Sequence, residues 1–580
     1  MFNLKWWQTA VFYQIYPRSF ADGNADGIGD LKGILEKLDY LVDLGIDAIW
    51  LSPHYPSPQF DCGYDIADYT DVEPEYGTIE EFRAFLEAAH ARGLKVILDL
   101  VLNHTSDQHP WFQESRASKD NPKRDWYIWR DGKADGPPNN WSAAFDDVAW
   151  TYDPATDQWY YHFFFAEQPD LNWRNPEVIQ AMWDAVRFWL DMGVDGFRLD
   201  AIGTIYEDPN LPDHEAELSM AELFQRNMAA YPNLPDPETQ AYLHDQRELM
   251  NKSQVDQPGI HELLQELRAV IDEYDDRMMV GEIDEIAYYG DGTNELHMVF
   301  NFPLMRTERI TPTWIRKNQV ERLGELPPAA WPCNTLGNHD SPRLLSRYGD
   351  GEHNEQIARL NLALMLTLKG TPFLYNGEEI GMSDLMLEDI EQFRDNLGVW
   401  IYRVATQNFG MPAENALKIV QNITRDKCRT PNQWKNAPNA GFSPADVKPW
   451  LPVNSNYAEG INVADQQNDS ASMLNFYKQL LAIRKKTPAL IAGEYQALHT
   501  DVEAYFAFLR TTSEQTCLVV LNYSAQSHKI AFDLTTLTAK PVYTNSGQKN
   551  SLDLANLEVA PFEILIAELE TKPTIQFKPS

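Results

Sequence analysis

The chain has 580 residues, of which 43% are hydrophobic and 23% charged, and its formal net charge is −38. The length exceeds one ordinary domain and suits an α/β domain of about 250 to 400 residues with additions. The negative charge argues against nucleic acid and anionic membranes as partners. No stretch approaches the roughly 20 apolar residues of a membrane span, so we expect a soluble protein with a small-molecule ligand.

Eight runs of β-branched and aromatic residues alternate with amphipathic stretches. The runs predict strands at 11–17, 48–53, 95–104, 195–202, 277–283, 297–302, 332–340 and 371–379. Apolar residues at three- and four-residue spacing predict helices between them, for example at 79–92, 178–192, 261–275 and 355–369. Eight repeats of strand then helix predict an α/β fold of the (β/α)8 TIM-barrel type. The alternative is a doubly wound open sheet, which would place ligand groups on fewer strands.

Two irregular segments and a change of pattern predict the domain organisation. Residues 105–173 predict a subdomain inserted after strand three, and residues 206–257 predict a helical lid over the pocket. After a last long helix at 473–484, short alternating strands at 505–510, 517–522 and 529–532 predict a C-terminal antiparallel β-sandwich. We therefore expect a barrel at 1–104 and 174–494, an inserted subdomain at 105–173 and a sandwich at 495–580.

Polar residues stand at the ends of four predicted strands. Polar residues at the C-terminal ends of barrel strands face the active site, and here they are Asn103 with His104, Arg198 with Asp200, Glu282, and His339 with Asp340. Arg198 and Asp200 are two residues apart in a strand, so both point to one face and pair, which keeps Asp200 ionised. An ionised carboxylate opposite a protonated one, here Glu282, is what glycoside hydrolysis requires. A separation of about 5 to 5.5 Å would give retention, and about 6.5 to 9.5 Å inversion.

The segments 99–104, 196–200, 281–282 and 338–340 resemble the four short sequence blocks of the α-amylase family of glycoside hydrolases. Segments 12–20, 168–172 and 449–454 are similar to its α-glucosidase and oligo-1,6-glucosidase group, and the resemblance covers nearly the whole chain. It implies that Asp200 is the nucleophile, Glu282 the general acid/base, and Asp340 a third carboxylate that binds sugar hydroxyls. The implied activity is retaining hydrolysis of α-glucosides.

The same resemblance implies the substrate-binding residues. Arg429 would pair with Asp61 and close the non-reducing end of the pocket, so that one glucose is released at a time. Tyr64 would be a stacking platform for the sugar. The other substrate-binding residues are His104, Phe164, Arg198, Ala201 and His339.

Linkage preference depends on Ala201, the residue after the nucleophile. Members of the group that prefer α-1,6 bonds resemble one another in having Val there, so Ala201 favours α-1,4 bonds, as in maltose. The segment 284–298 looks more like trehalose synthases, so isomerisation and glucosyl transfer stay open, as does α-1,6 preference. A non-catalytic, transporter-associated relative is disfavoured because all three carboxylates are present.

The segment 22–30 places oxygen ligands at alternate positions with glycine for the turn. This spacing resembles an EF-hand loop and predicts a structural Ca2+, with Mg2+ or a metal-free turn as alternatives. The expected ligands are Asp22, Asn24, Asp26 and Asp30 with the Ile28 carbonyl. Catalysis is expected to need no cofactor.

Four cysteines, at 62, 333, 428 and 517, lack paired spacing and are expected to be free thiols. The first residues lack a signal-like apolar core, which indicates a cytoplasmic protein. We expect a monomer or small homo-oligomer.

Overall fold

The computed structural model describes residues 4–134, 136–229, 235–534, 538–547 and 551–570. Its centre is a sheet of eight parallel strands. They are β1 (Phe12–Ile15), β2 (Ala48–Leu51), β3 (Lys95–Val101), β4 (Gly196–Asp200), β5 (Met278–Gly281), β6 (Met298–Val299), β7 (Cys333–Thr335) and β8 (Thr371–Tyr375). Each lies inside a predicted run, so the strand prediction is confirmed.

The sheet closes on itself. Neighbours in sequence pair in parallel from β1 to β6, β7 pairs with β8, and β8 pairs with β1. A parallel bridge between Phe300 and Cys333 joins the remaining edges. The TIM barrel is therefore confirmed, and the open-sheet alternative is wrong.

Helices surround the barrel. They are Leu31–Glu36 with Leu38–Leu44, Ile79–Ala91, Pro176–Met192, Ile260–Ile271, Pro312–Glu325, Asn354–Thr367 and Met473–Lys486. The strict alternation of strand and helix fails once, because only the 3-10 turn Ile286–Tyr289 lies between β5 and β6. Gly290 and Gly292, with φ of 58° and 92°, take the chain out of helical conformation there.

Local sequence explains where these helices begin and end. Helix Ile79–Ala91 starts with a capping box formed by Thr78 and Glu81. Helix Pro176–Met192 ends at Gly193, whose φ of 108° favours glycine. Buried Phe82, Phe85, Leu86 and Ala89 face the barrel from the first of these helices.

An insertion follows β3. It contains the helix Pro110–Ala117 and a three-stranded antiparallel sheet of Trp129–Arg130, Gln158–Tyr161 and Trp150–Asp153. Aromatic side chains such as Trp141, Trp150 and Tyr161 form its core. These elements lie inside the predicted range 105–173, whose bounds remain a prediction.

A group of helices, which we call the lid, consists of Met220–Ala229, Pro237–Asn251, Asn396–Arg403 and Ala413–Ile423. Buried apolar residues from all four, such as Leu223, Leu243, Trp400 and Ile419, form one cluster. The predicted helical character of 206–257 is confirmed, and residues 230–234 of that segment lie outside the described residues. The segment after β8 contributes the other half of the lid, which the sequence did not predict.

The C-terminal part is antiparallel. Six strands pair in the order Glu494–Leu498, Tyr505–Thr511, Thr516–Asn522, Ile564–Leu569, Thr538–Thr544 and Leu552–Asp553, and His528–Ile530 pairs with Leu557–Val559. The three predicted strands are confirmed, although the predicted boundary between 494 and 495 falls inside the first strand. Within the described ranges, no helix combines the length and apolarity that crossing a bilayer requires.

Candidate active site

The carboxyl ends of β3, β4 and β5 bring three acids to one arginine. Arg198 Nη1 lies 2.7 Å from Asp99 Oδ1 and 2.6 Å from Asp200 Oδ1, and Arg198 Nη2 lies 2.7 Å from Glu282 Oε2. The predicted pairing of Arg198 with Asp200 is therefore present in the structure. Asp99 was not predicted as a site residue, although it begins the block that ends at His104.

The two central carboxyls differ in their tendency to hold a proton. Burial raises the pKa of Glu282 to about 7, against the opposing charge of Arg198, while a quarter of its side chain remains exposed. Burial also raises the pKa of Asp200, to about 6, again opposed by Arg198. Near neutral pH, Glu282 is thus the better proton donor and Asp200 the better anion.

The residue after Asp200 has an unusual backbone. Ala201 adopts the left-handed region, with φ 41° and ψ 42°, which favours glycine. In this conformation the Ala201 N–H donates to Glu282 Oε2 at 3.0 Å. A strained residue beside these two carboxyl groups fits a functional role for this backbone.

Asp340 has a separate set of basic neighbours. Arg429 Nη2 is 2.5 Å from Asp340 Oδ1, and His339 Nε2 is 3.3 Å from Asp340 Oδ2. Burial opposes ionisation of Asp340, but the contacts with His339, Arg429 and Arg425 outweigh it and hold its pKa below the usual value. Asp340 is therefore an anion at neutral pH.

His339 is held in a fixed orientation. Its ring stacks between Tyr16 and Tyr64, with centroids 5.7 and 5.4 Å away, and its Nδ1 lies 2.7 Å from Gln14 Nε2. Burial lowers the pKa of His339 well below its usual value, so the ring is neutral. The Tyr64 hydroxyl lies 2.5 Å from His339 Nε2, and Tyr64 also lines the cavity.

The prediction that Arg429 pairs with Asp61 is wrong. Asp61 Oδ1 is bound by Arg425 Nη2 at 2.7 Å, whereas Arg429 is fully buried, bonds to Asp340 and donates to the His339 carbonyl at 2.9 Å. Arg425 begins the 3-10 turn Arg425–Cys428 and Arg429 follows it. Arg425 lines the cavity, whereas Arg429 is fully buried and is not part of the lining. The segment 425–431 does supply the partner of Asp61, but that partner is its first arginine, Arg425.

His104 lies on the same side as Asp61. Its Nε2 is 3.0 Å from the Tyr64 carbonyl and 3.0 Å from Gln168 Nε2, and Gln168 donates to Asp61 Oδ2 at 3.1 Å. Phe164 packs edge-on against the His104 ring at 5.2 Å. Gln168 was part of a recognised segment, yet its contacts with two site residues were not predicted.

These groups line one cavity of about 240 Å³. This is below the ~300 to 1,000 Å³ of most ligand pockets, so the cavity suits a small ligand. Its lining residues are Asp61, Tyr64, His104, Phe145, Phe164, Asp200, Ala201, Glu282, Asp340, Leu397 and Arg425. Phe145, Leu397 and Arg425 were missed, because the first two come from segments without a strand end or a polar motif.

The loop 22–30 lies away from this cavity. Its carboxylates bond to backbone: Asp22 accepts from Ala25 and Gly27 N–H at 2.6 and 2.9 Å, and Asp30 accepts from Asn24 N–H at 2.9 Å. The Lys32 ammonium donates to the Gly23 carbonyl at 2.6 Å. In the part of the chain that the structure describes, no group of three or more His, Cys, Asp or Glu side chains is arranged to hold a metal.

A comparison with known protein families identifies the family of this chain. The α-amylase catalytic domain matches residues 14–493. The chain belongs to the α-amylase family. This family member is a glycoside hydrolase, and its relatives include the oligo-1,6-glucosidase of Parageobacillus thermoglucosidasius, 38% identical over 97% of this chain and 99% of that protein.

Other similar proteins have different names. The probable alpha-glucosidase of Rhizobium meliloti is 40% identical over 90% of each chain. The solved structure of the trehalulose synthase MutB from Pseudomonas mesoacidophila MX-45 has a TM-score of 0.86 and 37% identity, and covers 98% of this chain and 100% of that one. The family and the class of enzyme are thus established together.

Proposed function

We propose that this α-amylase family member is a retaining, exo-acting α-glucosidase that works through a covalent glucosyl–enzyme intermediate. The observation that carries the proposal is that one guanidinium, Arg198, binds both Asp200 and Glu282 through neighbouring nitrogens. Two carboxylates held on one guanidinium favour the short separation of retaining enzymes over the wider gap that accommodates a water in inverting ones.

The mechanism follows from the protonation states. Glu282 donates its proton to the glycosidic oxygen as that oxygen leaves, and Asp200 attacks the anomeric carbon to form a glucosyl ester. Glu282, now ionised, takes a proton from water, which attacks the same carbon and displaces Asp200. Asp340, ionised at neutral pH, accepts hydrogen bonds from sugar hydroxyls.

The closed end of the cavity supports exo-action. Arg425 and Asp61 pair at 2.7 Å, and their side chains are only 13% and 7% exposed. A longer chain would have to break this buried pair in order to extend past the bound glucose. The proposed product is therefore a single glucose per cleavage.

For linkage, we propose α-1,4 preference, because the small Ala201 side chain lines the cavity beside Glu282. Glucosyl transfer to a second sugar is the other candidate activity. It is favoured by the likeness to a protein named trehalulose synthase. The likeness to proteins named oligo-1,6-glucosidase favours a preference for α-1,6 bonds as the alternative.

The deciding experiment is to incubate the protein separately with maltose, isomaltose, trehalose and sucrose, and to resolve products and their initial anomers over time. Fastest release of α-glucose from maltose is expected. Initial β-glucose would contradict retention, and trehalose, trehalulose or longer sugars as main products would make the protein a glucosyl transferase.

We also propose that the loop 22–30 binds a structural Ca2+, supported by its alternating oxygen side chains and by a backbone that wraps around the Asp22 carboxylate. Chelation should then lower the melting temperature and leave the activity per folded molecule nearly unchanged. In Asp26→Asn, chelation should no longer change the melting temperature. Equal melting temperatures in calcium and in chelator would refute the site. Measuring the melting temperature with Mg2+ in place of Ca2+ shows which of the two ions stabilises the loop.

We propose a cytoplasmic, reducing location, because all four cysteines are free and buried. Cell fractionation tests the location. Size-exclusion chromatography with light scattering tests the expectation of a monomer or small homo-oligomer.

A further inference from the structure

A buried acid stands where the lid meets the cavity. Asp395 is fully buried and precedes the lid helix Asn396–Arg403. Its Oδ1 accepts the Leu397 N–H at 3.2 Å, which caps this helix, and its Oδ2 accepts the Arg425 N–H at 2.8 Å. The side chain therefore connects the lid helix to the segment that closes the cavity.

The same carboxylate also binds the guanidinium that closes the cavity. Arg425 Nη2 lies 2.7 Å from Asp395 Oδ1 and 2.7 Å from Asp61 Oδ1, so one nitrogen is shared by two acids. Burial opposes ionisation of Asp395, but Arg425 outweighs it and lowers the pKa of Asp395 below its usual value. Asp395 is thus an anion that is buried beside Arg425 and outside the lining of the cavity.

The lid helix that Asp395 caps contacts both the ligand cavity and the rest of the lid. Leu397, in its first turn, lines the cavity, and Trp400, one turn later, packs edge-on against Phe224 at 5.3 Å. Any shift of this helix would move Asp395, and with it the guanidinium that Asp61 holds.

We propose that Asp395 is a positioning residue for exo-specificity: it holds Arg425 against Asp61 and so keeps the cavity closed behind one glucose unit. This proposal rests on the proposed α-glucosidase function. Without the Asp395 charge, Arg425 would keep Asp61 and the more distant Asp340, at 3.7 Å, as partners. The guanidinium would then move toward Asp340, away from the position that seals the end of the cavity.

The test separates this role from simple helix capping. Asp395→Asn removes the charge and keeps an oxygen that caps a helix equally well. The matched control is Asp236→Asn, because Asp236 caps the lid helix Pro237–Asn251 by accepting from Glu238 and Thr239 N–H and is exposed. For each variant, KM and kcat are measured with maltose and maltotriose.

Asp395→Asn is expected to raise KM for maltose about tenfold, with kcat changed less than about twofold, and to reduce the preference for maltose over maltotriose. Asp395→Glu keeps the charge but places it one methylene further out, so its KM for maltose should lie between those of the wild type and Asp395→Asn. It serves as the test if Asp395→Asn does not fold. Kinetic constants that match those of the Asp236→Asn control would overturn the proposal.

Glucose binding gives a readout that does not depend on turnover. Stabilisation of the fold by glucose, measured as a melting-temperature shift, should be reduced in Asp395→Asn and unchanged in Asp236→Asn. If the wild-type protein hydrolyses no α-glucoside, the proposed function fails. Equal stabilisation of both variants by glucose would show separately that Asp395 does not position Arg425.

Discussion

The Glu282 carboxylate accepts a hydrogen bond from the N–H of Ala201 at 3.0 Å. This contact joins the proposed acid/base to the residue that follows the proposed nucleophile. It depends on the left-handed backbone of Ala201, which a non-glycine residue adopts at a cost of about 1 to 2 kcal/mol.

Ala201 therefore offers a test of linkage preference. Ala201→Val is expected to lower the ratio of kcat/KM for maltose over isomaltose about tenfold, because a larger side chain fills the leaving-group side of the cavity. Its melting temperature should fall, since a branched side chain fits the left-handed region poorly. Ala201→Gly is the control: it keeps the N–H, relieves the strain and should raise the melting temperature. An unchanged ratio in Ala201→Val would remove Ala201 as the determinant.

Removal of either proposed catalytic carboxylate should abolish turnover without unfolding the protein. Asp200→Asn and Glu282→Gln are each expected to lower kcat at least about 10³-fold, because one removes the nucleophile and the other the transferable proton. Circular dichroism should remain that of the wild type. Near-wild-type activity in Asp200→Asn would contradict the mechanism.

The pH dependence follows from the two pKa values. The proposed mechanism requires an ionised Asp200, with a pKa of about 6, and a protonated Glu282, with a pKa of about 7. The plot of kcat/KM against pH should therefore be bell-shaped, falling below pH 6 as Asp200 gains a proton and above pH 7 as Glu282 loses one. The two apparent values belong to the pair, since both groups share Arg198. An alkaline limb that stays in place in Glu282→Gln, measured on its residual activity, would mean that another group titrates there.

Glu378 predicts a pH-dependent stability. Burial raises the pKa of this carboxyl from 4.5 to about 8. Because the pKa of Glu378 is higher in the folded than in the unfolded protein, its contribution to the free energy of unfolding is complete below pH 4.5. That contribution is lost as the pH rises toward 8. Glu378→Gln should therefore melt at a higher temperature than the wild type at pH 8. Its free energy of unfolding should be larger by about 1 to 3 kcal/mol at pH 8, and by less at pH 5. The opposite trend with pH would mean that Glu378 is ionised in the folded protein.

Local patterns in the sequence determined the barrel and most of its chemistry. Apolar runs that alternate with helical stretches predict the parallel strands of the barrel, and Arg198 and Asp200 point to one face because side chains alternate along any strand. The three carboxylates Asp200, Glu282 and Asp340 could be identified because strand ends in this fold meet at one mouth. These features depend on residues close in the chain or on a repeated unit.

The tertiary structure decided which distant groups touch. Arg425 and Arg429 are four residues apart in one motif, and only the path of the intervening turn determines that the first reaches Asp61 and the second Asp340. Leu397 and Asp395 enter the site because the segment after β8 packs on the lid helices that follow β4. Contacts of this kind depend on how separate apolar faces fit together in space, which no spacing within a single segment encodes.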